Sequence, residues 1–264
     1  MQLRSITYQS AQIFYRTTGK GNPLVLIHGF AEDGDIWKNQ IEFLKDHFYL
    51  IIPDLPGSGR STVISRQPAV GIDDYADVIK AILDKENISV CSMAGHSLGG
   101  YITLAFAEKY PDMLSSLALV HSSAFADNEE KKANRLKSIE FVKKNGAYEF
   151  LKAAIVDLFT EKWASENAAI VEAQVEKGKA FTDEAIVQYY RAMIARPDRT
   201  AVLKNFSKPI LFIIGEHDKA IPFEQSMQQC YLPVQSHIHI LRNSAHMGML
   251  EEAGKVNNAL LQLK

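Results

Sequence analysis

Residues 88–100 read I-S-V-C-S-M-A-G-H-S-L-G-G, an apolar run that ends in a serine framed by glycines. The run reads as a buried strand over Ile88–Gly95, and Leu98–Lys109 as the helix that follows it. A serine pinched between such a strand and helix is either a small residue in a glycine-rich turn or a nucleophile raised above a sheet. In the second case the turn is so tight that side chains two residues before and after the serine would clash with it. Gly95 and Gly99 stand at those two positions and remove the clash. Ser97 would then lie at a helix N-terminus, where the dipole and free N–H groups favour developing negative charge.

Outward from this point, strands and helices alternate. Leu3–Tyr8 and Ala11–Thr17 read as two short strands, and Thr18–Pro23 as a turn cluster without P-loop spacing. Pro23–Gly29 (P-L-V-L-I-H-G) is a continuous apolar strand. Ile36–Asp46 has helical spacing, Phe48–Pro53 is a strand, and D-L-P-G-S-G-R-S from Asp54 to Ser61 is a turn-rich loop. Asp73–Glu86 is helical and Leu114–His121 is another buried strand. From about Ser123 to Asn205 the chain is charged and Ala-rich, with no convincing strand. Pro209–Gly215 and Ser236–Leu241 restore the strand pattern, with helices predicted over Phe223–Tyr231 and Met247–Leu263. The expected architecture is α/β: a mostly parallel central sheet flanked by helices, interrupted by a helical insertion. Residues 1–122 and 206–264 supply the core, and residues 123–205 the insertion.

The composition is that of ordinary globular material. The 264 residues are 47% hydrophobic and 23% charged, with 29 basic and 31 acidic side chains for a formal net charge of -2. That balance points neither to nucleic acid nor to an anionic membrane surface. The two cysteines, Cys91 and Cys230, make no disulfide framework. The first ten residues lack the apolar core of a signal peptide, and apolar runs are strand-sized, so a cytoplasmic location is expected.

A nucleophilic serine needs a base, since its free hydroxyl is weak near neutral pH. Of eight histidines, His246 in N-S-A-H-M-G-M-L-E follows the last strand and is the expected base. His121, at a strand end, is a second candidate; His237 and His239 read as structural, His47 as surface, and His96 and His217 as neighbours of the site. Asp218 in G-E-H-D-K-A-I-P, just past a strand, is the expected acid, with Asp127 as the alternative. An oxyanion site needs two converging N–H groups. Leu98 and Phe30 would supply them, with Gly29 allowing close backbone approach and His28 holding the loop by hydrogen bonds.

Taken together these pieces resemble the serine α/β-hydrolases. The matching segments are H-G-F with Trp37, Asp54–Ser61, G-H-S-L-G-G, G-E-H-D-K-A-I-P and A-H-M-G-M-L-E, in the family order of serine, acid, histidine. R-A-M-I-A-R-P-D-R (Arg191–Arg199) is similar to a stretch in enol-lactonase-like and esterase-like members, and Ala245 replaces a glycine common before the base. The resemblance implies a helical cap over the site and acyl transfer to water with Ser97, His246 and Asp218 in the three roles. No metal and no cofactor is implied. A serine at this place argues against the members that use a carboxylate nucleophile.

The expected substrate is a small or medium, mostly apolar carboxylic ester or lactone. Carbon–carbon hydrolysis of ring-cleavage products and ligand sensing on the same scaffold are the alternatives. Phe125, Phe141, Tyr148, Phe150, Phe159, Trp163, Tyr189, Tyr190 and Met193 could line an acyl pocket, although their spacing fits a cap core better. Glu32, Asp33 and Asp35 read as a solvated loop. Oligomeric state leaves no mark in the sequence.

Overall fold

A computed structural model describes residues 1–65 and 69–264. The chain opens with β1 (Gln2–Tyr8), β2 (Ala11–Gly19) and β3 (Asn22–Ile27). There follow α1 (Lys38–Leu44), β4 (Phe48–Pro53), α2 (Ile72–Lys85), β5 (Cys91–His96), α3 (Leu98–Lys109) and β6 (Leu114–Val120). Six helices come next: α4 (Glu129–Asn145), α5 (Ala147–Val156), α6 (Glu161–Glu166), α7 (Ala168–Lys177), α8 (Asp183–Ala195) and α9 (Thr200–Asn205). The chain closes with β7 (Ile210–Gly215), α10 (Phe223–Cys230), β8 (Ser236–Leu241), α11 (Gly248–Glu251) and α12 (Ala253–Leu260).

The strands form one eight-stranded sheet in the order β1-β2-β4-β3-β5-β6-β7-β8. From β4 along this order to β8 each strand pairs in parallel with the next, whereas β2 runs antiparallel to both β1 and β4. The mostly parallel sheet expected from unalternated apolar runs is therefore the sheet observed. Every residue of β5 and β7 is buried, as is Leu24–Ile27 in β3, which is what helices on both faces require. From β3 the chain moves to one side, to β4, and then returns past β3 to β5 and onward to the other side. The strand order thus reverses between β3 and β5, and in open α/β sheets the crevice at such a point is where ligands bind.

Four boundaries differ from the sequence expectation. β5 begins at Cys91 rather than Ile88, because α2 is followed by Asn87 in the left-handed region (φ 56°) and the chain must still turn into the sheet, leaving Val90 45% exposed. β3 stops at Ile27, so His28 and Gly29 peel away from it. A 3-10 turn over Gly34–Trp37 replaces the first turn of the helix expected from Ile36. The expected helix over Met247–Leu263 breaks at Glu252 (φ -133°, ψ 48°), whose carboxylate accepts from Asn243 N at 3.0 Å.

The helices α4–α9 lie between β6 and β7 in sequence and bind the core through specific polar contacts to the loop after β4 and to α2 and α3. Tyr189 meets Ser58 at 2.7 Å, and the buried Arg199 pairs with Asp73 and Glu108. Among the described residues no helix is long and apolar enough to cross a membrane.

The tightest packing in the core is backbone on backbone. A methyl group on Gly99 would lie 2.4 Å from Ile27 O and 2.7 Å from His28 O, because the first turn of α3 rests on the end of β3. The Ile27 carbonyl ends β3 and the His28 carbonyl opens the loop that leaves it, so a methyl group there would have to push both aside. Gly99→Ala should therefore lose about 1–3 kcal/mol of stability, read as a lower urea midpoint at unchanged slope.

Candidate active site

Ser97 occupies the single-residue turn between β5 and α3 at φ 50°, ψ -114°. A non-glycine residue there carries strain of about 1–3 kcal/mol, so its surroundings must hold it. Ser97 N donates to Val120 O at 3.0 Å, and Ser122 Oγ donates to Ser97 O at 2.7 Å. The turn closes because Gly95 has no side chain: a Cβ there would sit 2.2 Å from Gly99 O. Leu98, the next residue, opens α3, so its N–H belongs to the first turn, which has no acceptor within the helix.

Asp218 and His246 come together at the carboxyl ends of β7 and β8. His246 Nδ1 lies 2.8 Å from Asp218 Oδ2, and both side chains are buried. The other oxygen of Asp218 accepts from Ala220 N at 2.8 Å and Ile221 N at 2.9 Å. Burial opposes the carboxylate charge, but His246 and His121 outweigh it and hold Asp218 well below the usual carboxylate range. For His246, burial opposes the protonated ring, yet the charges of Asp218 and Glu32 raise its pKa above 6.5. With Nδ1 committed to Asp218, Nε2 is the nitrogen left for the cavity that His246 shares with Ser97.

The second candidate base and the alternative acid have other places. His121 is buried behind Asp218, its Nδ1 3.4 Å from Asp218 Oδ2, and burial pushes its pKa down to about 4. It is therefore a neutral ring packed against the acid. Asp127 is held between Arg135 and Arg196. Sequence spacing suggests no metal-ligand set, but the fold brings ligand atoms of His121, Asp218 and His246 within 4.8 Å of one another. The Asp218–His246 hydrogen bond occupies the centre of that group.

The loop after β3 is where the sequence reading needs correction. His28 Nε2 accepts from Leu55 N at 2.9 Å, so its Nδ1 carries the proton and donates to Gly29 O at 2.8 Å. Glu32, expected in a solvated loop, is buried, and its Oε2 accepts from Gly29 N at 2.6 Å and meets His96 Nδ1 at 2.9 Å. His96 Nε2 in turn lies 3.0 Å from His246 O. The neighbour at the variable position of the turn is thus a bridge from the Gly29–Phe30 loop to the backbone of His246. Gly29 leaves room for the bridge, since a Cβ there would be 2.8 Å from His96 Nδ1. Asp33 and Asp35 do stay at the surface region, paired with Lys177 and Arg16.

Glu251 is a second residue that sequence reasoning missed. Oε2 accepts from Ala245 N at 2.9 Å, Ser244 Oγ at 3.1 Å and Met247 N at 3.3 Å, which encloses His246 on both sides. Oε1 accepts from Thr160 N and Oγ1, and His246 N donates to Leu158 O at 2.9 Å. The loop that carries His246 is thereby tied to the segment between α5 and α6.

Phe30, Ser97 and His246 line one cavity of about 230 Å³, together with Tyr101, Leu158 and Met193. Of the nine insertion side chains proposed for a pocket, Met193 is the one on its wall. Tyr189 and Tyr190 instead pack on Phe30, Phe159 stacks on Trp163, and Phe141 is partly exposed against Phe150. His237 and His239, on β8, meet Gln262 near the C-terminus, and neither lines this cavity. A larger cavity of about 570 Å³, beside Ser92, Ser116 and Gln262, contains none of the three residues Ser97, Asp218 and His246.

A family model for the alpha/beta hydrolase fold matches residues 22–164. A relative from Agrobacterium fabrum with a provisional carbamate-hydrolase name, RutD, is 28% identical over 95% of this chain and 96% of its own. A thermophilic esterase structure from Thermogutta terrifontis is 29% identical, covering 99% of this chain and 97% of that one with a TM-score of 0.92. The enol-lactonase from Burkholderia xenovorans shares the fold at 20% identity and a TM-score of 0.89, over 98% of this chain and 99% of its own.

Glu251→Gln replaces one of two acceptor oxygens by an amide group that faces N–H donors on either side. The expected loss is about 1–3 kcal/mol, and the amides of Ala245 and Met247 should exchange faster with deuterium than in the parent protein.

Proposed function

The chain belongs to the alpha/beta hydrolase fold family, and from that premise we propose a serine hydrolase that cleaves a small or medium carboxylic ester or lactone. The observation that carries this reading is the 2.8 Å contact of His246 with Asp218, made by a histidine that lines the same cavity as Ser97. An esterase at 29% identity along nearly the whole chain adds support.

In the proposed reaction His246 Nε2 takes the proton from Ser97 Oγ as the oxygen attacks the substrate carbonyl. The carbonyl oxygen becomes an oxyanion, facing the N–H groups of Phe30 and Leu98. Collapse breaks the carbon–oxygen bond, the leaving alkoxide takes the proton from His246, and an acyl-enzyme remains on Ser97. Water then repeats the sequence, giving its proton to His246 and releasing the acid. Asp218 keeps the ring in the Nδ1–H tautomer and stabilises the imidazolium without itself taking the proton. The reaction needs no cofactor. Residues 123–205 act as a cap and residues 1–122 and 206–264 as the catalytic core.

Hydrolysis of p-nitrophenyl esters from acetate to laurate, with a lactone alongside, tests the assignment. Ser97→Ala and His246→Ala should each lower kcat by about 10⁴ or more, and full activity in both would refute it. The base works deprotonated and its pKa is raised, so activity should fall as pH drops. The midpoint of the acid limb of kcat/KM is expected above 6.5. Asp218→Asn removes the charge that raises it and should move that midpoint down.

A further inference from the structure

The wall of the cavity that holds Ser97 carries cations that an apolar substrate does not call for. Lys131 and Arg135 are one turn apart on α4, so both project from the same helix face, and both line the cavity with Ser97 and His246. Lys219, on the loop after β7, joins them. Lys131 and Arg135 are half-buried and Lys219 is exposed; like charges at this spacing repel, and an anion seated between them relieves that repulsion.

The protein's own carboxylates do not supply it. Glu32 is the acid on the cavity wall, and its Oε2 is engaged by Gly29 N and His96. Asp218 is engaged by His246, Ala220 and Ile221. Asp127 is one carboxylate shared by two guanidiniums, which leaves one positive charge over. Of those two, Arg196 is engaged elsewhere: its Nη1 donates to Met193 O, its Nη2 to Phe125 O and Asp127, and its guanidinium stacks on Tyr101 at 3.9 Å, leaving only a buried Nε without a partner among the described residues. Arg135 gives Asp127 only its Nε, at 2.6 Å, and among the described residues its two terminal amino groups have no hydrogen-bond acceptor. Lys131 gives one of three donors to Ala220 O at 2.9 Å.

We propose that Lys131 and Arg135, with Lys219 beside them, form an anion subsite of the catalytic cavity, and that the ester or lactone cleaved carries a carboxylate. This rests on the serine-hydrolase reading above. The small cavity, about 230 Å³, places that carboxylate a few bonds from the scissile carbonyl, in a half-ester of a short dicarboxylic acid or a lactone acid. The terminal amino groups of a guanidinium suit it, since they can grip both oxygens of one carboxylate.

The test is competition against p-nitrophenyl acetate hydrolysis by monomethyl succinate and by methyl 4-methylpentanoate, in which an isopropyl group replaces the carboxylate. A competitor registers whether or not it is itself cleaved. The charged ester should compete at about tenfold lower concentration than its neutral isostere, and added salt should shrink that ratio. Lys131→Met and Arg135→Gln should each bring the ratio toward one, and Arg135→Lys should keep much of it. Because Arg135 also braces Asp127, circular dichroism is run on each variant, and Lys131→Met decides if Arg135→Gln fails to fold. A wild-type ratio of one or less, or one that neither substitution changes, overturns the subsite. Ser97→Ala separates the two claims: p-nitrophenyl acetate turnover that survives it overturns the serine-hydrolase reading itself.

Discussion

The backbone of Ser97, held at φ 50° and ψ -114°, is the constraint from which the rest of the site is built. A serine does not rest there by itself; strain of this kind persists only where the surroundings over-determine it. Here the surroundings are three contacts with no slack. Gly95 lies under Gly99 O, Gly99 lies on the carbonyls of Ile27 and His28, and Gly100 lies on Ser122. The second of these matters most for chemistry. It makes the turn that carries Ser97 and the loop that carries Phe30 rest on one another through backbone atoms alone. Their relative position is then set by the sheet register of β3 and β5 and not by any side-chain rotamer.

Around that fixed point lie loops, and each is tied by one carboxylate. Glu32 ties the loop after β3 to His96, Asp54 ties the loop after β4 to Gly34 N, Asp218 ties the loop after β7 to His246, and Glu251 ties the loop after β8 to Thr160. The pattern has a simple cause. Loops at the end of a parallel sheet expose backbone N–H groups that no strand pairs, and leaving such a donor buried and unpaired costs about 1–3 kcal/mol. A carboxylate accepts several at once, and charge-assisted bonds repay its desolvation better than a neutral acceptor would. Two of these ties, Glu32 and Glu251, converge on His246 from opposite sides through His96 and through Ala245 and Met247.

That Ser97, Asp218 and His246 follow β5, β7 and β8 could be read from the sequence, because a strand pattern precedes each of them. Glu32 was not. It sits in A-E-D-G-D, which has the composition of a solvated turn, and only the 3-10 turn after it swings it beneath the loop. Lys131 and Arg135 were hidden for a similar reason. α4 begins E-E-K-K-A-N-R, charged on every side, so no periodic signal marks the face that turns inward. The insertion aromatics, read mainly as cap core, were ambiguous in a different way. Their spacing identifies helices, but a helix without a sheet beneath it gives no sign of which apolar side chains meet substrate and which meet each other.

The charges on the cavity wall also bear on the base itself. Glu32 raises the His246 pKa and Lys131 lowers it, so the two pull against each other across the ring. In the proposed reaction the opposition is useful, because the base would have to accept a proton and then return it: a ring held too high would arrive already protonated, and one held too low would not take the proton from a serine. An anionic substrate seated against Lys131 would cancel part of one side of this balance. Its carboxylate would lift the basicity of His246 at the moment Ser97 has to be deprotonated, while Glu32, locked to Gly29 and His96, would keep its own contribution constant. Under the proposed reaction, substrate charge would then serve recognition and base strength through the same side chain.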